Sequence, residues 1–150
     1  MDDSPFVALT VGYNTWISVN YCKDWLFLEG IREVLQNQMD GMTSVATKKA
    51  FIDPIPLAKD YNGKKYKNYE FRNTQNRAQI LGEIIYDPGK EMLSVWNIGH
   101  LETGDLLLGG TKDLDDNVEL IGRFGEGMKL SALALLRAGK PISIMNGTKV

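Results

Sequence analysis

Three groups of residues in this chain have types and spacings that chemistry can use. The first is Ile121-Gly122-Arg123-Phe124-Gly125-Glu126-Gly127-Met128-Lys129, in which three glycines end where a helix is expected to begin. A helix start offers unpaired backbone amides and the positive end of a dipole, and glycines let a phosphate come close to the chain. The spacing is G-x-x-G-x-G, which is neither the dinucleotide G-x-G-x-x-G nor a phosphate loop ending in G-K-[ST]. The second group is Glu33, Asn37 and Asp40, four and three residues apart and therefore on one stripe of an expected helix. An amide oxygen one turn from a carboxylate suits a magnesium phosphate site, with the oxygen on the hard cation and the carboxylate orienting a water. The third is Asn97-Ile98-Gly99, a polar residue closing an apolar strand beside a glycine. Its side-chain carbonyl can accept from an exocyclic amine, and the glycine lets a flat base lie against the backbone.

Taken singly, each group also has a plainer reading. Glycines before a helix make an ordinary turn, and asparagine before a turn is common. The Glu33 stripe lies roughly opposite the apolar residues Leu28, Ile31, Leu35 and Met39, so by itself it reads as a solvated face. Against that reading, Asn37 is a poor helix former in mid-helix.

Composition narrows the class. With 150 residues, 43% apolar and 24% charged, and a net charge of -2, the chain suits one soluble domain with one core, and collagen, coiled coil and long disorder are excluded. No run of 18 apolar residues occurs, and Met1-Asp2-Asp3-Ser4 lacks the basic start of a signal peptide, so spanning and secretion are disfavoured. The expected location is intracellular, with cytoplasm and nucleus left open. Cys22 is the single cysteine and His100 the single histidine, which nearly excludes a Cys/His zinc site, and neither carries a local signature of a Cys-His nucleophile.

The elements that must position these groups follow from periodicity. Residues 6–19 suggest a strand or extended arm. Asp24 is a plausible N-cap for a helix from Trp25 to about Met42 that ends near Gly41. Residues 43–65, with Pro54, Pro56 and Asn62-Gly63, read as a connection containing at most a short helix at 47–51. Strands are expected at Tyr66–Arg72, Ala78–Tyr86 and Met92–Ile98, the last two joined as a hairpin by Asp87-Pro88-Gly89-Lys90, with proline fixing one central dihedral and glycine tolerating the next. A glycine-rich, acidic loop follows at 99–121. A helix at Met128–Arg137, apolar on nearly every side and hence buried, stops at Gly139 and Pro141. A strand at Pro141–Met145 and an Asn146-Gly147 turn lead into Thr148-Lys149-Val150, a returning strand that is cut off, so the chain reads as C-terminally truncated.

In this order the blocks resemble the Bergerat ATP-binding fold of the gyrase, heat-shock chaperone, histidine kinase and mismatch-repair (GHKL) superfamily. The resemblance covers residues 24–147 and is strongest at Glu33 to Asp40 and at Ile121 to Lys129. It implies a single nucleotide-binding domain of α+β class, a two-layer sandwich with a mixed, mainly antiparallel sheet and helices on one face. Residues 1–23 would be an N-terminal arm and 100–121 a lid, and the last strands would be missing.

The cofactors it implies are ATP and magnesium. Glu33 would be the general base for attack of water on the γ-phosphate, Asn37 would hold the magnesium, and Asp40 would support the nucleotide or the adjoining loop. Asn97 would read adenine with Gly99 beside the base, and Lys112 would reach the phosphates. The backbone of Gly122, Phe124, Gly125, Glu126, Gly127, Met128 and Lys129 would cradle them. The family usually has aspartate where Asn97 stands and D-x-G-x-G where this chain has Asn97-x-Gly99-x-Leu101.

The leading expectation is therefore an ATP-binding module that hydrolyses ATP and drives lid closure within a larger protein, any homodimer being held through parts outside this chain. One alternative is a degenerate nucleotide-binding or assembly module without turnover, motivated by Asn97 and Leu101. Another is a nucleic-acid-binding domain. From Lys48 to Arg77 eight basic residues stand against Asp53, Asp60 and Glu70, interleaved with Tyr61, Tyr66 and Tyr69, whereas 97–126 carries seven acids against Lys112 and Arg123. The plainer reading of that basic stretch is a solvated loop. A histidine-kinase role is weakest, since no phospho-acceptor helix is visible. The branch of the superfamily stays open.

Overall fold

A computed structural model describes residues 20–61, 63–100, 127–145 and 147. Among the described residues, two α-helices and a four-stranded antiparallel sheet give an α+β architecture. Helix α1 is Phe27–Ala46, a 3₁₀ turn follows at Lys49–Phe51, and strands β1 (Ile52–Tyr61), β2 (Lys64–Asn73), β3 (Asn76–Asp87) and β4 (Met92–Asn97) form a meander in sequence order. Helix α2 is Gly127–Arg137. Neither helix is long and apolar enough to cross a membrane.

Helix α1 starts later and runs further than its periodicity suggests. Its N-cap is Leu26, not Asp24, and the Leu26 N–H donates to Glu29 Oε2 at 3.0 Å, half of a capping box. It continues through Gly41 and stops at Thr47, whose φ of 67° breaks the helix while its N–H still reaches Thr43 O.

The faces of α1 also differ from expectation. Leu28 is 73% exposed, whereas Glu33 is 8% and Asp40 2% exposed. The reason is that α1 is covered on two sides. Its second half lies on the sheet, where Met42 and Ala46 pack with Ile52, Phe71 and Leu81. Its first half is covered by α2, with Leu135 and Ala134 closing on Gly30 and Ser131 Oγ donating to Gly30 O at 2.9 Å. A single apolar stripe does not describe a helix that is covered on two sides.

Strand β1 replaces the expected connection at 52–61. Pro54 and Pro56 argue against a central strand, but β1 is an edge strand whose inner neighbour needs only alternate N–H groups, and the prolines, two apart, occupy the same alternate set. Tyr61 pairs with Lys64 across a tight loop in which Gly63 takes φ 75°. In β3 Leu81 is an extra residue between the pairs Phe71↔Gly82 and Arg72↔Ile80. Leu81 is fully buried at the centre of the core.

The β3–β4 hairpin forms as expected. Asp87 Oδ1 accepts from the N–H groups of Gly89 and Lys90 at 2.9 and 3.2 Å, but the left-handed residue is Glu91, with φ 49°, rather than Gly89.

Helix α2 is less enclosed than expected. Leu130, Ala134 and Leu135 are buried against α1, while Leu136 is largely exposed. It ends at Gly139 with φ 70° and backbone bonds from Gly139 to Leu136 and from Lys140 to Leu135. Residues 141–145 form no strand, because no neighbouring strand among the described residues offers them a ladder. The expected arm at 6–19, Asn146 of the expected turn and the returning strand at 148–150 lie outside the described residues.

Candidate functional site

The site is assembled along α1. Glu33 is buried where α2 begins: a Cβ on Gly127, the first residue of α2, would overlap Glu33 Oε2. The carboxylate therefore lies against the end of a helix whose first amides have no intrahelical acceptor and whose dipole is positive. Its other oxygen is 3.5 Å from Nη2 of Arg32, a largely exposed side chain that adds little. Thus Glu33 and the end of the glycine segment, far apart in sequence, meet.

One turn further, Asn37 Nδ2 donates to Glu33 O at 2.8 Å. This bond explains how asparagine is tolerated in mid-helix, and it fixes which end of the amide faces away. Oδ1 is left as an acceptor. Asp40 is 2% exposed and lies inside rather than on a solvated face.

Asn97 and Gly99 sit at the end of β4, where α1 and the sheet touch backbone to backbone. A Cβ on Gly99 would overlap Gly41 O, and one on Gly41 would overlap Asn97 Oδ1. Gly41 is thus not a helix stop but the place where the helix makes room. The Gly99 N–H donates to Asn97 Oδ1 at 2.9 Å, and Asn97 Nδ2 donates to Gln38 Oε1 at 3.0 Å. The amide nitrogen is turned to Gln38, and Oδ1, which accepts from Gly99, keeps one of its two lone pairs.

Gln38 was not singled out by its sequence, yet it is the polar centre of this junction. It is 2% exposed, its Nε2 donates to Trp96 O and, at 3.4 Å, to Glu83 O, and its Oε1 receives Asn97. One side chain therefore ties α1 to both β3 and β4. The passage exists because residue 82 is glycine: a Cβ there would sit 2.7 Å from Gln38 Nε2 and overlap Trp96 O. A glycine inside an apolar strand was the available signal.

Two clusters result: Glu33, Asn37 and Gly127 near the start of α2, and Gln38, Gly41, Asn97 and Gly99 at the end of β4. Eight residues of helix, about 12 Å, separate Glu33 from Gly41. Met128 and Lys129 occupy the first turn of α2, Met128 half-buried and Lys129 buried. Lys112, Gly122, Phe124, Gly125 and Glu126 lie outside the described residues, as does the expected lid from 101 to 121. Among the described residues no three His, Cys, Asp or Glu side chains are grouped to hold a metal.

No family model, no curated protein and no solved structure matches this chain. The functional reading therefore rests on the residues and their geometry.

Proposed function

We propose that this chain is an ATP-binding, magnesium-dependent ATP-hydrolysing module of Bergerat type. The observation that supports it most is the meeting of Glu33 with Gly127, which joins a buried carboxylate to the amide end of α2. In this reading the amides at Gly127, Met128 and Lys129 receive phosphate oxygens. Glu33 accepts the proton of the attacking water, and Asn97 Oδ1 faces the amino group of adenine.

Magnesium fits the donor set. Mg²⁺ is commonly held by one or two protein oxygens with phosphates and water completing its shell, so Asn37 Oδ1 would suffice and a cluster of three carboxylates is not required. When bound, the ion neutralises phosphate charge. The protein contributes position and a base.

Calorimetric titration of the 150-residue chain with magnesium ATP, alongside GTP and Asn97→Asp, tests binding. Phosphate release by Glu33→Gln tests the chemistry: binding is retained and turnover falls about a hundredfold or more. Unchanged turnover in that variant removes Glu33 from the mechanism.

A second reading is a binding module without turnover. It draws on one observation, that both ends of the Asn97 amide are already engaged by Gln38 and Gly99. Tight ATP binding with no phosphate release by the wild-type chain selects it.

A further inference from the structure

The basic, tyrosine-bearing stretch from 48 to 77 is divided by the fold into two unlike parts. Arg72 is paired with Glu70 at 2.6 Å and Arg77 with Asp53 at 2.8 Å, while Lys48 lies over the Phe51 ring at 5.9 Å. Those charges are committed to the protein itself. Lys64 and Lys67 are at the other end of the hairpin, where the fold adds Lys90 from the β3–β4 turn: Lys64 Nζ lies 3.8 Å from the place a Gly89 Cβ would take. No ion pair among the described residues involves Lys64, Lys67 or Lys90.

Beside these lysines the sheet displays two tyrosines. Lys67 stands directly opposite Tyr86, and Tyr69 directly opposite Ile84, so by the two-residue period Lys67, Tyr69 and Tyr86 share a face. Tyr69 and Tyr86 are diagonal neighbours, about 7–8 Å apart at the backbone. They are 47% and 40% exposed. Nearby acids are occupied: Asp87 is buried and accepts backbone N–H groups, and Glu91 pairs with Lys140 at 3.2 Å. Asp60 and Glu91 are the acids exposed at that end among the described residues, Glu91 beside Lys90 and paired with Lys140.

We propose that this face binds single-stranded nucleic acid, with Tyr69 and Tyr86 stacking successive bases, and Lys67 beside them and Lys90 of the adjoining turn holding the phosphates. The occupant follows from the chemistry. Exposed rings on a sheet offer a stacking platform that every base can use, and unpaired lysines at its border supply the matching charge. A duplex hides its base faces and cannot use the tyrosines. Phe71, Ile84 and Asn97 lie on the same face of the sheet toward α1, and occupancy of the tyrosine end does not depend on the ATP reading.

The test is fluorescence anisotropy of the intact chain with oligo(dT) and oligo(U) of about a dozen nucleotides and a duplex DNA of equal length. Binding of either single strand supports the proposal, and the two arms show whether DNA or RNA is preferred. The logarithm of affinity should fall against the logarithm of salt with a slope of about -1.4 for two phosphate contacts. Tyr69→Ala and Tyr86→Ala should each weaken binding about five- to a hundredfold, while Tyr69→Phe retains it. Lys67→Glu should weaken it, and Lys48→Glu should not. Circular-dichroism melting of each variant separates lost contacts from lost fold. Absence of binding by folded protein at low salt, equal affinity for duplex, or tyrosine variants that bind like wild type would each overturn the proposal.

Discussion

Replacing Gln38 by alanine removes the side chain through which α1 is fastened to β3 and β4. Gln38 is 2% exposed and engages Trp96 O, Glu83 O and Asn97 Nδ2, the last two at 3.4 and 3.0 Å. Each ordinary hydrogen bond contributes about 1 kcal/mol, and a buried donor or acceptor left without a partner costs about 1–3 kcal/mol. The long Glu83 contact adds little. Trp96 O and Asn97 Nδ2 lose their partner together, and a void the size of the glutamine side chain opens beneath Gly82.

A loss of about 2–4 kcal/mol follows, which for a chain of this size lowers Tm by roughly 6–14 °C. Gln38→Glu keeps the shape but turns an acceptor toward two carbonyl oxygens, so it should destabilise at least as much as alanine. Thermal and urea unfolding followed by circular dichroism measures both. A double-mutant cycle with Asn97→Ala isolates their shared bond, at about 1 kcal/mol of coupling. If Gln38→Ala melts within about 2 °C of wild type, Gln38 does not fasten the helix to the sheet and the junction is held by apolar contacts alone.

Other substitutions examine different parts of the structure. Glu91→Gly relieves a left-handed residue at φ 49° and sacrifices only a surface ion pair with Lys140, so it should stabilise by about 0.5–1 kcal/mol in urea titration; a lower midpoint would mean that the pair matters more than the backbone. Gly127→Ala should alter stability little, because the group it displaces is the free end of Glu33. Under the ATP reading it should lower the rate of phosphate release by about tenfold or more by moving that carboxylate, and an unchanged rate would count against the placement of Glu33.

The sequence by itself determined those parts of the fold that depend on neighbours in the chain. The three- and four-residue apolar steps sufficed for the presence of α1 but not for its ends or faces, the alternation around Asp87-Pro88-Gly89-Lys90 for the β3–β4 hairpin, and Gly139 for the end of α2. It also singled out Glu33, Asn37, Asn97 and Gly127 as chemically useful types.

Tertiary structure decided what those residues face. Whether Glu33 is solvated or buried depends on α2, which enters about ninety residues later, and no periodicity within α1 carries that information. Pro54 and Pro56 forbid a central strand but permit an edge one, and the position of β1 in the sheet is a property of the whole meander. Gln38 has an ordinary helical side chain until Gly82 leaves it a path to Trp96 O and Asn97. Local propensity acts over a few residues, whereas burial and polar pairing are settled by groups that only folding brings together.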